Sequence, residues 1–141
     1  MRDAKNLELV RNFFDSFLAE DWDRFYACLS RDIVWHIGAG AGEGTVPYFG
    51  VFRGIDAVRG CMAAYDASPI EEPKFEMTEF FGSGDRVFAF GDADYFMPPT
   101  GRRFSTPMLY AFRVHNGSIV EMHRFLDTAV FVQAYEEKAA G

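Results

Sequence analysis

Apolar and polar side chains alternate along the stretch from Phe104 to Asp127, and this is the clearest pattern in the chain. The even positions of its first half are occupied by Phe104, Thr106, Met108, Tyr110, Phe112 and Val114. A period of two residues predicts a strand with one buried face. Asn116-Gly117 is typical of a hairpin turn, so a second strand should follow before Asp127 begins a helix. Two long strands with one apolar face need other elements to cover that face.

This hairpin has two possible registers, which bury opposite faces of its second strand. A turn made by Asn116-Gly117 alone places Tyr110 opposite His123. That register would bury Ile119, Glu121, His123 and Phe125. A three-residue turn over 115–117, with a glycine bulge, places Tyr110 opposite Met122. That register would bury Val120, Met122, Arg124 and Leu126.

The second register is favoured because it buries one ionisable group rather than two, and an unpaired buried charge is costly. It leaves the outer face of the sheet half apolar. Such a face suits a dimer interface, so we expect a homodimer through the outer sheet face.

The rest of the chain predicts helices and further strands that complete one domain over residues 1–141. The predicted elements are helices at Asp3–Glu20 and Trp22–Leu29, a strand at Ile33–Ile37, a helix capped by Asp56, strands at about 74–82, 86–96 and 104–114, the second hairpin strand, and a helix at Thr128–Lys138. Gly38–Gly50 is rich in glycine and long enough to form a functional lid. The order predicts an α+β fold with helices on one face of a curved, mostly antiparallel sheet.

Composition and charge exclude several classes of function. Aromatic residues make up 17% of the chain, so much of the core must consist of rings, which is compatible with a ligand cavity. The net charge of −7 disfavours nucleic-acid binding. No apolar run approaches the ~18 residues needed to span a bilayer, and the charged N-terminus does not resemble a signal peptide. Cys28 and Cys61 are expected to be buried free thiols, which favours a cytoplasmic location.

Three stretches resemble a known family: Asp32–Gly38, Phe52–Val58 and Asn116–Ala129. They are similar to the nuclear transport factor 2-like superfamily, in particular to its ketosteroid isomerases, SnoaL-like polyketide cyclases and limonene epoxide hydrolases. The resemblance covers about Leu7 to Tyr135. It implies a cone-shaped α+β barrel, in which a strongly curved sheet wraps around helices and encloses an apolar cavity. It also implies a dimer through the outer face of the sheet.

The resemblance suggests three catalytic residues. His36 occupies the place of the isomerases' catalytic aspartate, and an imidazole with a pKa near ~6.5 could act as a base. Tyr110 matches their oxyanion-hole aspartate, and a phenol can donate a hydrogen bond to an oxyanion. Arg124 matches one acid of the epoxide hydrolases and could orient the substrate or bind an anionic group. Each also has a purely structural interpretation: a core or rim histidine, a core tyrosine, and an arginine that reaches from the cavity rim into water.

Departures from the family pattern limit the reactions that we expect. Phe13 stands where the isomerases use a tyrosine, so ordinary steroid isomerisation is not expected. Gly91 and Ala93 fall where the epoxide hydrolases need the rest of their catalytic set. A bulge at Gly91 could turn Asp92 or Asp94 inward as a counter-charge for the arginine. Three scattered histidines without nearby cysteines do not predict a metal site.

The sequence therefore favours a small cofactor-free isomerase, cyclase or dehydratase that acts on a lipophilic carbonyl compound by acid–base chemistry. Its catalytic residues would be His36, Tyr110 and Arg124. Its substrate-binding residues would be Phe13, Phe17, Met62, Tyr65, Met108, Phe112 and Met122. Two alternatives remain: a module that binds a hydrophobic ligand without turnover, and a dimerisation domain with a filled cavity.

Overall fold

A computed structural model describes residues 2–38, 40 and 42–140, and these form four helices and six strands. The elements are α1 (Arg2–Leu18), α2 (Trp22–Ala27), β1 (Leu29–Ile37), β2 (Gly50–Arg53), α3 (Ile55–Ala67), β3 (Glu71–Ser83), β4 (Arg86–Met97), β5 (Arg102–His115), β6 (Ser118–Phe125) and α4 (Thr128–Ala140). None of the described helices is both long and apolar enough to cross a bilayer.

The six strands form one curved sheet in the order β2-β1-β6-β5-β4-β3. β1 pairs with β6 in parallel, and the other neighbours are antiparallel. β2 and β3 are the two edges within the described chain, so the sheet curves without closing. The predicted α+β class with a mostly antiparallel sheet is confirmed. The strand β2 was not predicted, because it lies where a glycine-rich segment joins the third helix.

Helix α1 covers the inner face of the sheet with aromatic side chains. Phe13 stacks on Phe25 of α2, with ring centroids 4.8 Å apart, and meets Phe112 of β5 edge-on at 5.5 Å. Phe14 meets Tyr110 edge-on at 4.9 Å. Such pairs contribute about 0.5–1.5 kcal/mol each beyond their buried area. The helical spacing of these rings therefore fixes α1 across the middle strands.

The glycine-rich segment is packed against the core where the structure describes it, at residues 38, 40 and 42–50; Ala39 and Ala41 lie outside the described residues. Val46, Tyr48 and Phe49 are buried, and Phe49 packs on Phe131 of α4 with centroids 5.4 Å apart. The described part thus forms one wall of the interior. Both predicted free thiols, Cys28 and Cys61, are buried and unpaired, as expected.

The β5–β6 hairpin combines features of both predicted registers. His115 pairs with Ser118, so Asn116-Gly117 alone makes the turn, and both turn residues have positive φ. The register then shifts between the pairs Val114–Ile119 and Arg113–Glu121, which leaves Val120 as an extra residue. From Glu121 onward, this bulge exchanges which residues of β6 face the interior and which face outward.

Because of the bulge, the predicted three-residue turn is wrong. Tyr110 lies opposite Arg124 rather than Met122, and Ile119 is buried in place of Val120. Met122 and Arg124 are nevertheless buried, as the favoured register required.

Candidate active site

A cavity of about 40 Å³ lies between α1, α3 and the inner face of the sheet. Its wall includes seven of the predicted site residues: Phe13, Phe17, Met62, Tyr65, Tyr110, Met122 and Arg124. Met108 and Phe112 were predicted to line it and do not. Both are buried in the core beside it, where Phe112 packs on α1 and Met108 contacts Arg124.

Arg124 is the cation of this cavity and is only 6% exposed. Its Nη2 donates to the Tyr95 hydroxyl at 2.7 Å and to the Met108 sulfur at 3.7 Å. Its guanidinium carbon lies 5.8 Å from the centre of the Tyr110 ring. Nε has no hydrogen-bond partner among the described residues. Nε is therefore a buried donor that a ligand oxygen would satisfy.

The guanidinium stays charged in this setting. Burial acts to lower the pKa of Arg124, but the surrounding Tyr110, Tyr95 and Glu72 raise it above its ordinary value. Burial also raises the pKa of Tyr110 to about 12, an effect that Arg124 partly offsets. The phenol is therefore protonated at neutral pH and can donate a hydrogen bond.

Glu72 is a cavity residue that the sequence analysis missed. The Tyr65 hydroxyl donates to its Oε1 at 3.0 Å. Its Oε2 is buried and makes no hydrogen bond of normal geometry among the described residues, although the Tyr95 hydroxyl lies near the carboxylate. Phe75 and Met77 predict that odd positions of β3 face inward, which would turn Glu72 outward. The pairing with β4 is irregular between Glu71 and Lys74, and this irregularity lets Glu72 face the cavity.

Asp92 and Asp94 do not supply the counter-charge that the sequence suggested for Arg124. Both lie on the outer face of the sheet, since Ala93 and Tyr95 take the inner positions of β4. Asp92 pairs with Lys74 at 2.9 Å, and Asp94 accepts a hydrogen bond from Ser105 at 2.7 Å. The carboxylate that accompanies Arg124 in the cavity is Glu72.

His36 lies on the opposite side of the sheet from the cavity. It pairs with Val51 and His123, and the two imidazole rings stack with centroids 3.7 Å apart. Burial, and then the neighbouring His123, lower the pKa of His36. Its neighbours Trp35 and Ile37 point into the cavity instead. The prediction that His36 faces the cavity is therefore wrong, because the run Ile33–Ile37 lacks a polarity alternation that would identify its inner face.

Four buried polar atoms around this one cavity make no hydrogen bond of normal geometry within the described chain. They are Trp35 Nε1, Tyr48 OH, Glu72 Oε2 and Arg124 Nε. Three of these groups still lie near a polar neighbour, namely Cys61 for Trp35, Tyr135 for Tyr48 and Tyr95 for Glu72. Such atoms are rare in folded proteins, and each costs about 1–3 kcal/mol when left unsatisfied. Their concentration at one aromatic cavity is typical of a ligand site rather than of a filled core.

No other charged side chain is among the described residues that line the cavity, so Glu72 and Arg124 define its electrostatics. Cys61 also lines it, but burial raises the pKa of its thiol to about 12. A protonated thiol is a poor nucleophile at neutral pH. The arrangement can therefore bind an anionic oxygen and accept a proton, which are the two requirements for removing a proton beside a carbonyl group.

Residues 10–122 match the SnoaL-like domain family. An NTF2-like protein of unknown function from Burkholderia pseudomallei aligns with a TM-score of 0.80 and 22% identity, over 93% of this chain and 97% of that one. TerC co-crystallised with polyporic acid aligns with a TM-score of 0.78 and 19% identity, over 94% and 98%. A candidate polyketide cyclase from Silicibacter aligns with a TM-score of 0.70 and 18% identity, over 90% and 92%. No curated protein matches the chain.

Proposed function

The chain belongs to the SnoaL-like domain family, and we propose that it is a cofactor-free enzyme that acts on a lipophilic carbonyl compound by acid–base chemistry. The observation that supports this most strongly is the free Nε edge of a buried, charged Arg124 inside an aromatic cavity. A cation already fixed in a low-dielectric site stabilises negative charge as it develops on oxygen, without reorganisation during the reaction.

In this proposal Arg124 binds the carbonyl oxygen as the carbonyl becomes an enolate. The Tyr95 hydroxyl holds the other end of the guanidinium, and the ring of Tyr110 lies beside it. Glu72 replaces His36 as the proton acceptor. Its Oε1 accepts a hydrogen bond from Tyr65, and Oε2 would take the proton from the substrate. Isomerisation, cyclisation and dehydration of carbonyl compounds can all begin with this proton transfer.

The aromatic walls favour flat, ring-bearing substrates, because rings pack on rings with little loss of solvation. The similar structure of TerC with polyporic acid supports a small-molecule ligand in this fold. The alternative function is binding without turnover, which the same unpartnered polar atoms would also serve. Ligand retention in native mass spectrometry without any proton exchange would favour that alternative.

Glu72→Gln should abolish catalysed proton exchange. The measurement is deuterium incorporation beside the carbonyl of 1-tetralone and related ring ketones in D2O, followed by NMR. Loss of a positioned base typically costs about 10²–10⁴-fold in rate. Glu71→Gln, a change at the exposed neighbour of Glu72, is the matched control and should be neutral. Full activity in Glu72→Gln, or loss of activity in His36→Gln, would contradict the assignment.

We also propose that two copies pair through the outer face of the sheet. One residue from each strand forms a continuous row across that face. The row consists of Val51, His36, His123, Ala111, Phe88 and Phe81. A second row beside it contains Phe125, Leu109 and Phe90. This apolar band is too extensive to be typical of a surface that faces water alone.

The charges beside this band suit a second copy of the chain. Arg86 and Arg113 lie along one side, where Glu121 and Asp85 already pair with them. Glu76, Asp92 and Asp94 lie along the other, where Lys74 is their one nearby cation among the described ion pairs. A two-fold axis parallel to the rows turns the arginine side of one copy onto the acidic side of the other. An axis parallel to the strands would oppose the two acidic sides, so the first arrangement is favoured.

Ala111→Glu should convert the dimer to a monomer, because it places a carboxylate at the middle of the apolar row. Sedimentation velocity would show wild-type protein at twice the chain mass of 16.0 kDa and the variant at the chain mass. Ala129→Glu, at an exposed position of α4, is the matched control and should stay dimeric. A monomeric wild-type protein at micromolar concentration would refute the interface.

A further inference from the structure

A groove opens directly outside the cavity, between the C-terminal end of α1, α2 and α3. Its accessible volume is about 630 Å³. Four residues line both the groove and the cavity: Phe17, Met62, Tyr65 and Glu72. These four residues form the boundary between the two spaces, so a ligand too long for the cavity would extend into the groove.

A thin, flexible part of a ligand could pass through the boundary between the cavity and the groove. The hydrogen bond from Tyr65 to Glu72 links α3 to β3 across it, and Met62 supplies a flexible thioether beside that bond. An unbranched methionine side chain can move without disturbing its helix. A thin substituent could therefore pass between these side chains while a ring remains in the cavity.

The groove contains apolar surface that the proposed dimer leaves exposed. Six large apolar side chains are exposed in the described chain: Leu18, Trp22, Val51, Phe81, Phe90 and Phe125. Val51, Phe81, Phe90 and Phe125 belong to the outer sheet face. Leu18 and Trp22, which are 57% and 39% exposed, lie in the groove instead. Trp22 meets Phe17 edge-on at 6.0 Å, so the apolar surface continues from the groove into the cavity.

The charges of the groove select against an acidic occupant. Glu20, Asp66 and Glu72 line it, and Arg59 is its one described cation. The Arg59 guanidinium already lies 4.0 Å from the centre of the Tyr26 ring. Like charges brought together at such a rim are repelled, whereas a neutral chain meets no such penalty.

From these observations we propose that the groove binds an uncharged alkyl chain of the same molecule whose carbonyl-bearing ring occupies the cavity. The substrate class is thus a ring ketone with an alkyl substituent several carbons long. The inference rests on the ligand-binding part of the proposed function and does not require turnover. It predicts that affinity depends on chain length through Leu18 and Trp22.

The test is a series of 6-alkoxy-1-tetralones from methoxy to hexyloxy, with affinity measured by isothermal titration calorimetry. Each methylene that enters the groove should raise affinity about threefold to fourfold. In the variant Leu18→Gln/Trp22→Ala, the gain in affinity per methylene should fall below about 1.5-fold, because most of the apolar contact is lost. Its affinity for the methoxy compound should stay within about twofold of wild type, because the head group still fills the cavity.

Controls separate this proposal from the proposed reaction. Phe81→Ala, which removes an exposed ring from the outer sheet face, should leave the increment unchanged. A hexyloxy analogue that ends in a carboxylate should bind at least about tenfold more weakly than the neutral compound of the same length. Leu18→Gln alone, at a half-exposed position, should reduce the increment even if Trp22→Ala disturbs α2.

Three outcomes would overturn the proposal: no dependence on chain length, an unchanged increment in the groove variant, or no binding by any member of the series. Glu72→Gln is expected to abolish proton exchange while the increment persists. If the wild-type protein shows the gain in affinity with chain length but catalyses no proton exchange, the proposed reaction is refuted and the groove assignment stands.

Discussion

Arg124→Met is expected to slow proton exchange by about 10²–10³-fold and to lower the free energy of unfolding. Arg124 is 6% exposed, and Tyr110, Tyr95 and Glu72 around it stabilise its charge. Removing one partner of a buried charge pair typically costs about 3–5 kcal/mol, because the group left behind, here Glu72, loses its counter-charge. Urea unfolding and NMR exchange measure the two effects on the same preparation.

Arg124→Lys is the matched control, since it keeps the charge and removes the planar edge that contains Nε. We expect partial activity, because an ammonium can neutralise an oxyanion but cannot hold Tyr95 and a ligand in fixed directions. An Arg124→Met variant as stable as wild type would show that the cation does not offset the charge of Glu72. Full activity in Arg124→Met would refute its role in the reaction.

Gly91→Ala is expected to unfold the protein or to cost at least about 3 kcal/mol of stability. A Cβ built at Gly91 would lie 1.9 Å from the carbonyl oxygen of Glu76 and 2.7 Å from the Cα of Met77. Both are backbone atoms of β3, next to the shift in pairing between Met77 and Glu79. They cannot move without breaking the β3–β4 pairing. For a domain of this size, the loss corresponds to a fall in Tm of about 10 °C or more.

Gly60→Ala is the control for which the same substitution should raise stability. Gly60 lies in α3, and an added Cβ would meet no atom within 4 Å. Alanine should stabilise the helix by about 1 kcal/mol, because it has less backbone entropy to lose. Differential scanning calorimetry of both variants should give shifts of opposite sign. A Gly91→Ala variant that melts within a few degrees of wild type would contradict the contact with β3.

The contact at Gly91 also bears on the reaction. The resemblance to epoxide hydrolases places one member of their catalytic set at this position. Because the backbone of β3 occupies the space of a side chain at Gly91, that set cannot be completed in this chain. The proposed chemistry therefore depends on Arg124 and Glu72 rather than on the epoxide hydrolase arrangement.

The direction of side chains in regular helices and strands could be predicted, because a single period sets which positions face the interior. The alternation in β5 identified Tyr110 as inward-facing, and the helical spacing in α1 identified Phe13 and Phe17 as residues that face the interior. The strand β1 shows the limit of this reasoning. Its apolar run gives both faces the same pattern, so Trp35 and His36 were equally acceptable inner residues until the pairing with β6 was seen.

The chain by itself determined the α+β class and the presence of an aromatic interior, because hydrophobic periodicity and aromatic content can be read from the order of the residues alone. Three short stretches of the sequence carried the resemblance to the NTF2-like fold. Only the tertiary structure decided which ionisable groups meet. Extra residues at Val120 and near Glu72 each change the face of a strand by one position. Such shifts arise from pairing with another strand, which no local pattern contains. They place Glu72 rather than His36 in the cavity with Arg124.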